Sequence, residues 1–160
     1  MPKVTLRPAA EPDAEAVAEI WQHGWADGHL GNVPDALVAI RTPESFRSRT
    51  INSLPHTTIA EVDGAVAGFV MVVDDEVEQV YVSAAHRGSG VAGVLLAEAE
   101  RLVAAEGYRE AWLAVAPGNS RARRFYERSG WSDGGVFDYP ASSADGPIPV
   151  PCHRYIKPVG

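Results

Sequence analysis

The chain has 160 residues, 46% of them apolar and 22% charged, which fits one ordinary globular domain and excludes a disordered or fibrous chain. Its net charge of −7 repels a phosphate backbone, so nucleic acid is not an expected partner. One cysteine, Cys152, leaves no internal disulfide and suits a reducing compartment. Met1–Arg7 shows no apolar leader segment, and the longest apolar run, Ala65–Val73, is too short to cross a bilayer; the expected setting is the cytoplasm, without a membrane partner.

In chain order, Val4–Arg7 alternates like a short strand. Asp13 is placed to cap a helix running to about Trp25, with Ala14, Val17, Ala18, Trp21 and Trp25 on one face. A second helical stretch is expected over Asp35–Arg49. Thr57–Val62 and Ala65–Val73 flank Asp63-Gly64, a strong hairpin signal. After a turn at Asp74-Asp75-Glu76, Val77–Ser83 forms a third strand. Gly88–Gly93 opens a long helix to about Glu106, with Gly107 behind it. Then follow a strand at Ala111–Ala116, a helix at Ser120–Ser129 and a strand at Trp131–Tyr139, broken by Gly134-Gly135. A loop at Ala141–Pro149 and a last strand at Cys152–Lys157 complete the chain. Strands in a run, then alternating with helices, imply an α+β fold with a mixed sheet.

The run His86-Arg87-Gly88-Ser89-Gly90-Val91-Ala92-Gly93 lies between a strand and a helix. Glycines allow close backbone approach, and the first helical turn offers unpaired amides and the positive dipole end, which suits a pyrophosphate. Arg87 adds a permanent charge. Gly88, Gly90 and Gly93 also fit a dinucleotide fingerprint, G-x-G-x-x-G. That reading fails on context: about eighty residues precede the loop, and the next strand ends Ala114-Val115-Ala116-Pro117 without an acid.

Arg87-x-x-Gly90-x-Ala92 resembles the Q/R-x-x-G-x-G/A signature of the GNAT superfamily of N-acetyltransferases. Val80-Tyr81-Val82 resembles the strand before that signature, and Val94-Leu95-Leu96 the helix after it. Asn119 to Trp131 resembles a second family motif, N-x-x-A-x-x-F-Y-E-x-x-G-F, with Trp131 in place of Phe. The resemblance is strong from about Thr57 to Trp131. It implies a mostly antiparallel sheet of about six to seven strands flanked by about four helices. It implies acetyl-CoA as cosubstrate and acetyl transfer to a primary amine of a small molecule or peptide, by direct attack in a ternary complex. The backbone of Val80, Tyr81 and Val82 would pair with the pantetheine amides, and Arg87, Gly88, Ser89, Gly90, Val91 and Ala92 would hold the pyrophosphate. Asn119 would contact the pantetheine arm, with Ala122 and Phe125 lining it. A tyrosine at Tyr126 would donate a proton to the departing thiolate. Dimerisation is common in the family.

An attacking amine must lose a proton, and a carboxylate can take it. By alternation Glu76, Glu78, Val80 and Val82 share one strand face; Glu78, deeper in the strand, is the preferred base and Glu76 the other candidate. No metal is implied, since the histidines show no ligand spacing. Cys152 and His153, adjacent on a strand, cannot pair as a nucleophile and base. The acceptor wall is expected from Trp21–Val33, Asp74–Glu76 and Phe137–His153, with Trp25, Asp27, His29, Asp138 and Tyr139 suited to a cationic amine. The competing reading is a non-catalytic acyl-CoA-binding module.

Overall fold

The computed structural model describes residues 3–160; Met1 and Pro2, the start of the stretch read for a leader, lie outside them. Seven strands and five α-helices alternate along the chain. They are β1 (Val4–Pro8), α1 (Ala14–His29), α2 (Asp35–Ile40), α3 (Pro43–Ser53), β2 (Thr57–Val62), β3 (Ala65–Val73) and β4 (Glu76–Val82). Then come α4 (Val91–Ala105), β5 (Glu110–Val115), α5 (Ser120–Arg128), β6 (Ser132–Ala141) and β7 (Ile148–Pro158). The strands form one sheet in the order β1-β2-β3-β4-β5-β7-β6. Every neighbouring pair is antiparallel except β4 with β5. No helix among the described residues is long and apolar enough to cross a membrane.

Two cores sandwich the sheet. On one face, Val91, Leu95, Leu96, Ala99 and Val103 of α4 pack with Val70, Val77 and Leu113 from the strands. On the other, Val17, Trp21 and Trp25 of α1 meet Phe46 of α3 and Ile59, Phe69 and Met71 of the sheet. The apolar stripe expected on α1 is therefore the buried one. The β2–β3 hairpin turns on Asp63 (φ 52°) and Gly64 (φ 78°), both left-handed, as a tight hairpin turn requires.

Asp13 precedes α1 but does not cap it. Its carboxylate accepts from the Ala10 amide (2.8 Å) and from both terminal nitrogens of Arg7 (2.7 and 2.8 Å), fastening β1 to the entry of α1. The Arg7 guanidinium, then burial opposing it, leave the Asp13 carboxyl below its ordinary range. The ion pair thus stabilises the fold fully above the ordinary carboxylate pKa of about 3.9, and this contribution is lost as pH falls through the lowered value. Asp13→Asn is expected to lower stability at pH 7 by about 1–3 kcal/mol, as loss of a charged hydrogen bond does. Chemical denaturation at several pH values checks this: the gap between variant and parent should close on acidification.

The helix expected over Asp35–Arg49 is two helices. Pro43 bars the residue before it from helical geometry; Thr42 sits extended (ψ 163°) and its hydroxyl accepts from Ser45 N at 3.2 Å, capping α3 anew. The break accounts for the fifth helix. At the C-terminal end, β6 runs through Gly134-Gly135 because a register shift between Asp133 and Val136 absorbs them. β7 begins at Ile148 and ends at Pro158, so the loop is shorter than the expected Ala141–Pro149.

β4 departs from simple alternation. Val77, Val80 and Val82 all face the α4 core, although positions 77 and 80 differ by an odd number. Met71 pairs with Gln79 and Val72 with Val77, which leaves Glu78 as the extra residue of a β-bulge. Glu76 and Glu78 therefore lie on the α1–α3 side, opposite Val80 and Val82, and the shared face expected from alternation is not formed. The carboxylates are aimed by the bulge rather than by the pleat.

Candidate active site

β4 and β5 pair at one register position only, Glu76 with Trp112; the Trp112 amide also donates to Asp75 O at 3.0 Å. Beyond that crotch the strands splay toward their carboxyl ends. The backbone edge of Val80, Tyr81 and Val82 facing β5 is thus left without a neighbouring strand. A cleft of about 1490 Å³ runs through the opening. It extends from the Gly-rich loop at one end to Glu76 and Glu78 at the other.

At the loop end, β4 passes through a short 3-10 turn (Ala84–His86) into α4. Gly88 (φ 77°) and Gly90 (φ 85°) are both left-handed, a conformation a side chain resists, and Gly90 is the residue on which the helix starts. The Val94 amide reaches back to Gly90 O at 3.2 Å, so the amides of Val91, Ala92 and Gly93 have no helical carbonyl to bind. Gly88, Gly90, Val91 and Ala92 line the cleft. Ser89 does not: its hydroxyl donates to His86 O and tightens the turn. Arg87 lines the cleft and pairs with Asp27 of α1 at 2.5 Å. Both partners are substantially exposed, at 36% and 56%, and such a pair is worth at most about 1 kcal/mol, so Asp27 does not lock the guanidinium in place.

The C-terminal half of α1 lies along the opening because it carries glycines where it approaches the sheet. A Cβ on Gly24 would run into the Tyr81 ring, and one on Gly28 would stand 2.7 Å from the Asn119 side-chain nitrogen. Asn119 itself caps α5, its side-chain oxygen accepting from Ala122 N at 3.3 Å. Asn119, Ala122, Phe125 and Tyr126 all line the cleft. The Tyr126 ring is fixed by Phe125 and Trp131 at centroid distances of 5.2 and 6.2 Å. Burial pushes its phenol up to about 12, so it stays protonated at any physiological pH.

At the far end, Tyr139 donates from its hydroxyl to Glu76 at 2.6 Å. Burial raises the Glu76 carboxyl most; the Tyr139 hydrogen bond opposes this, neighbouring Glu78 and Asp75 add to it, and the result is about 7. Burial also raises Glu78, against the pull of His56 and Arg49. Both carboxylates line the cleft, but Glu76 stands at the crotch of the splay and has a fixed hydrogen-bond donor.

Of the expected acceptor wall, Trp25, Asp27, His29 and Tyr139 line the cleft and Asp138 does not. Trp25 and His29 stack at 5.1 Å, and burial lowers the His29 pKa, so the ring is a neutral wall. Cys152 also borders this end; burial pushes its thiol up to about 11, which keeps it protonated. Among the lining residues missed from sequence are Arg41 and Arg49. They lie inside a stretch read only as helical, and nothing in its periodicity separates a cleft arginine from a solvated one. Among the described residues no group of three or more His, Cys, Asp or Glu gathers to hold a metal.

Residues 15–131 match the model of the Acetyltransferase (GNAT) family. An uncharacterized N-acetyltransferase of Mycobacterium tuberculosis is 31% identical over 82 residues, 48% of this chain and 53% of the relative; the chain spans about half the length of the curated relatives it matches. Among solved structures, a GCN5-related N-acetyltransferase from Rhodopseudomonas palustris superposes with a TM-score of 0.76 at 21% identity, over 99% of this chain and 97% of that one. An acetyltransferase from Salmonella typhimurium, solved with its cofactor acetyl-CoA, gives 0.71 at 19% identity over 99% and 95%. At these identities the structural matches show a common fold.

Proposed function

The chain belongs to the acetyltransferase (GNAT) family, and from that premise we propose that it transfers an acetyl group from acetyl-CoA to a primary amine, with both substrates held at once in the cleft. The observation that carries this reading is the single opening between β4 and β5. It joins an amide-rich, left-handed loop at one end to a half-buried carboxylate of near-neutral pKa at the other.

The fit to the coenzyme rests on this chain's own groups. The free amides of the first turn of α4 suit a pyrophosphate, with Arg87 beside them. The unpaired edge of Val80–Val82 suits an extended arm with peptide-like amides, bound as one more strand. Acetyl-CoA, when bound, supplies an acetyl thioester whose C–S bond breaks as the N–C bond to the amine forms.

Glu76 takes the proton that the amine gives up. A group titrating near 7 is available as the carboxylate around neutral pH and is basic enough to accept, whereas an exposed carboxylate near 4 is a much weaker base. Glu78, raised by burial but without a fixed donor, shapes the field around it. Tyr126 donates a hydrogen bond to sulfur as negative charge develops there. With its own pKa at about 12 against about 8.5 for a thiol, it stabilises the thiolate by a shared proton and does not have to surrender it.

A thermal-shift titration with acetyl-CoA, CoA and NADPH tests the premise. A hundredfold excess over Kd is expected to add about 2.7 kcal/mol for either coenzyme A form and nothing for NADPH. Gly90→Val, which forces a branched side chain into a left-handed turn, should abolish that gain. No rise with either coenzyme A form would sink the reading.

A further inference from the structure

The acceptor end of the cleft carries two arginines, and although Glu78 lies close enough to act on Arg49, neither is ion-paired with its carboxylates. Arg49, on α3, stacks its guanidinium 4.3 Å over the Trp21 ring and lies 5.7 Å from the Phe46 ring. Its Nη1 is buried and has no hydrogen-bond partner. Among the described residues neither Arg49 nor Arg41 forms an ion pair; Arg41 donates from Nη2 to Ser142 O at 3.0 Å. Burial, with Arg41 nearby, pulls the Arg49 guanidinium down to about 10. A buried donor left unsatisfied costs free energy, more so when charged, and two unpaired cations side by side add repulsion. Across the same cleft stand Glu76 and Glu78.

We propose that the acceptor is an α-amino acid: its carboxylate is bound by Arg49, with Arg41 at the rim, while its amino group faces Glu76. The geometry is that of a dipolar site. Cations sit on the helical wall and carboxylates on β4, matched to a molecule that carries one charge of each sign a few bonds apart. A guanidinium offers a carboxylate two parallel donors, and the Trp21 face beneath holds that fork in one plane. A diamine or polyamine would put a second cation against two arginines, so the site selects against it. This assignment replaces a generally cationic acceptor, and it rests on the acetyl-transfer reading given above.

The test is calorimetric binding to protein saturated with CoA, which cannot react, followed by turnover with acetyl-CoA. The probes are the twenty L-amino acids, each beside its α-amide and its decarboxylated amine. At least one amino acid should bind about 10–100-fold more tightly than its own amide and amine, the range of a charged hydrogen bond. In Arg49→Met, which keeps the bulk over Trp21, that ratio should fall toward one; in Arg49→Lys it should be intermediate. The parent ratio needs no variant, so misfolding of either variant leaves the proposal testable. Amides or amines binding as well as every amino acid would overturn it, and so would a ratio that survives Arg49→Met in a folded protein. CoA binding with turnover of plain amines alone would reject the amino-acid acceptor and leave acetyl transfer standing. Absence of CoA binding would remove acetyl transfer itself.

Discussion

Glu76→Gln is expected to lower kcat at pH 7 by about 10²–10⁴-fold, the range of a lost general base. Glutamine has nearly the same shape and can still accept the Tyr139 hydroxyl, so the cleft should keep its form. What it cannot do is take a proton. In the parent, kcat/KM should rise with pH through about 7, the value to which burial and its acidic neighbours bring Glu76. In the variant that limb should vanish, with activity recovering only where the amine deprotonates in solution. The sign of the stability effect is opposite. A carboxyl whose pKa is raised in the folded protein opposes folding increasingly as pH rises from its ordinary value of 4.5 to about 7 and by a constant amount above that, so at pH 7 and above the variant should melt higher than the parent. Rate–pH profiles and melting curves on the same samples separate the two effects. A variant that keeps the limb near 7 would pass the role to Glu78.

Tyr126→Phe should cut kcat by about 10–100-fold, the worth of a hydrogen bond to a charged atom, with little change in the acceptor's KM. The ring contacts with Phe125, Trp131 and Tyr155 do not involve the hydroxyl, so the melting temperature should hardly move. Because the phenol stays protonated up to about 12, the parent's profile should show no falling limb from this group below about pH 10. Steady-state kinetics between pH 6 and 10 check both points. An unchanged kcat would return Tyr126 to the core.

Much of this was legible in the sequence, for physical reasons that differ along the chain. The hairpin could be read because Asp63-Gly64 imposes a local geometry that little else satisfies. The tight turn after β4 could be read because Gly88 and Gly90 permit the left-handed conformations it takes. The split of the second helical stretch was also written locally, in Thr42-Pro43, but was outweighed by the periodicity on either side. At the acceptor end several residues could be named, Trp25, His29, Glu76 and Tyr139 among them, but not how they meet. Glu78 stands out of register because of how β3 and β4 pair, and pairing is a property of two segments. Arg49 is half-buried because α3 leans on α1, and a helix pattern alone does not say where its neighbour will stand. Tyr139 reaches Glu76 across 63 positions of chain, a contact no local rule anticipates.

The extra residue in β4 has a consequence for how such a cleft can change. In a regular strand, moving a carboxylate from one face to the other shifts every later side chain with it and empties the core. Here the extra residue is Glu78 itself, so Val77 before it and Val80 and Val82 after it all stay seated in the α4 core while Glu76 and Glu78 turn to the other side. One position outside the pleat thus holds two acids on one face without unseating a valine on either side of it. Deletion of Glu78 would therefore restore a regular pairing and remove one acid, while Val77 and Glu76 keep their faces.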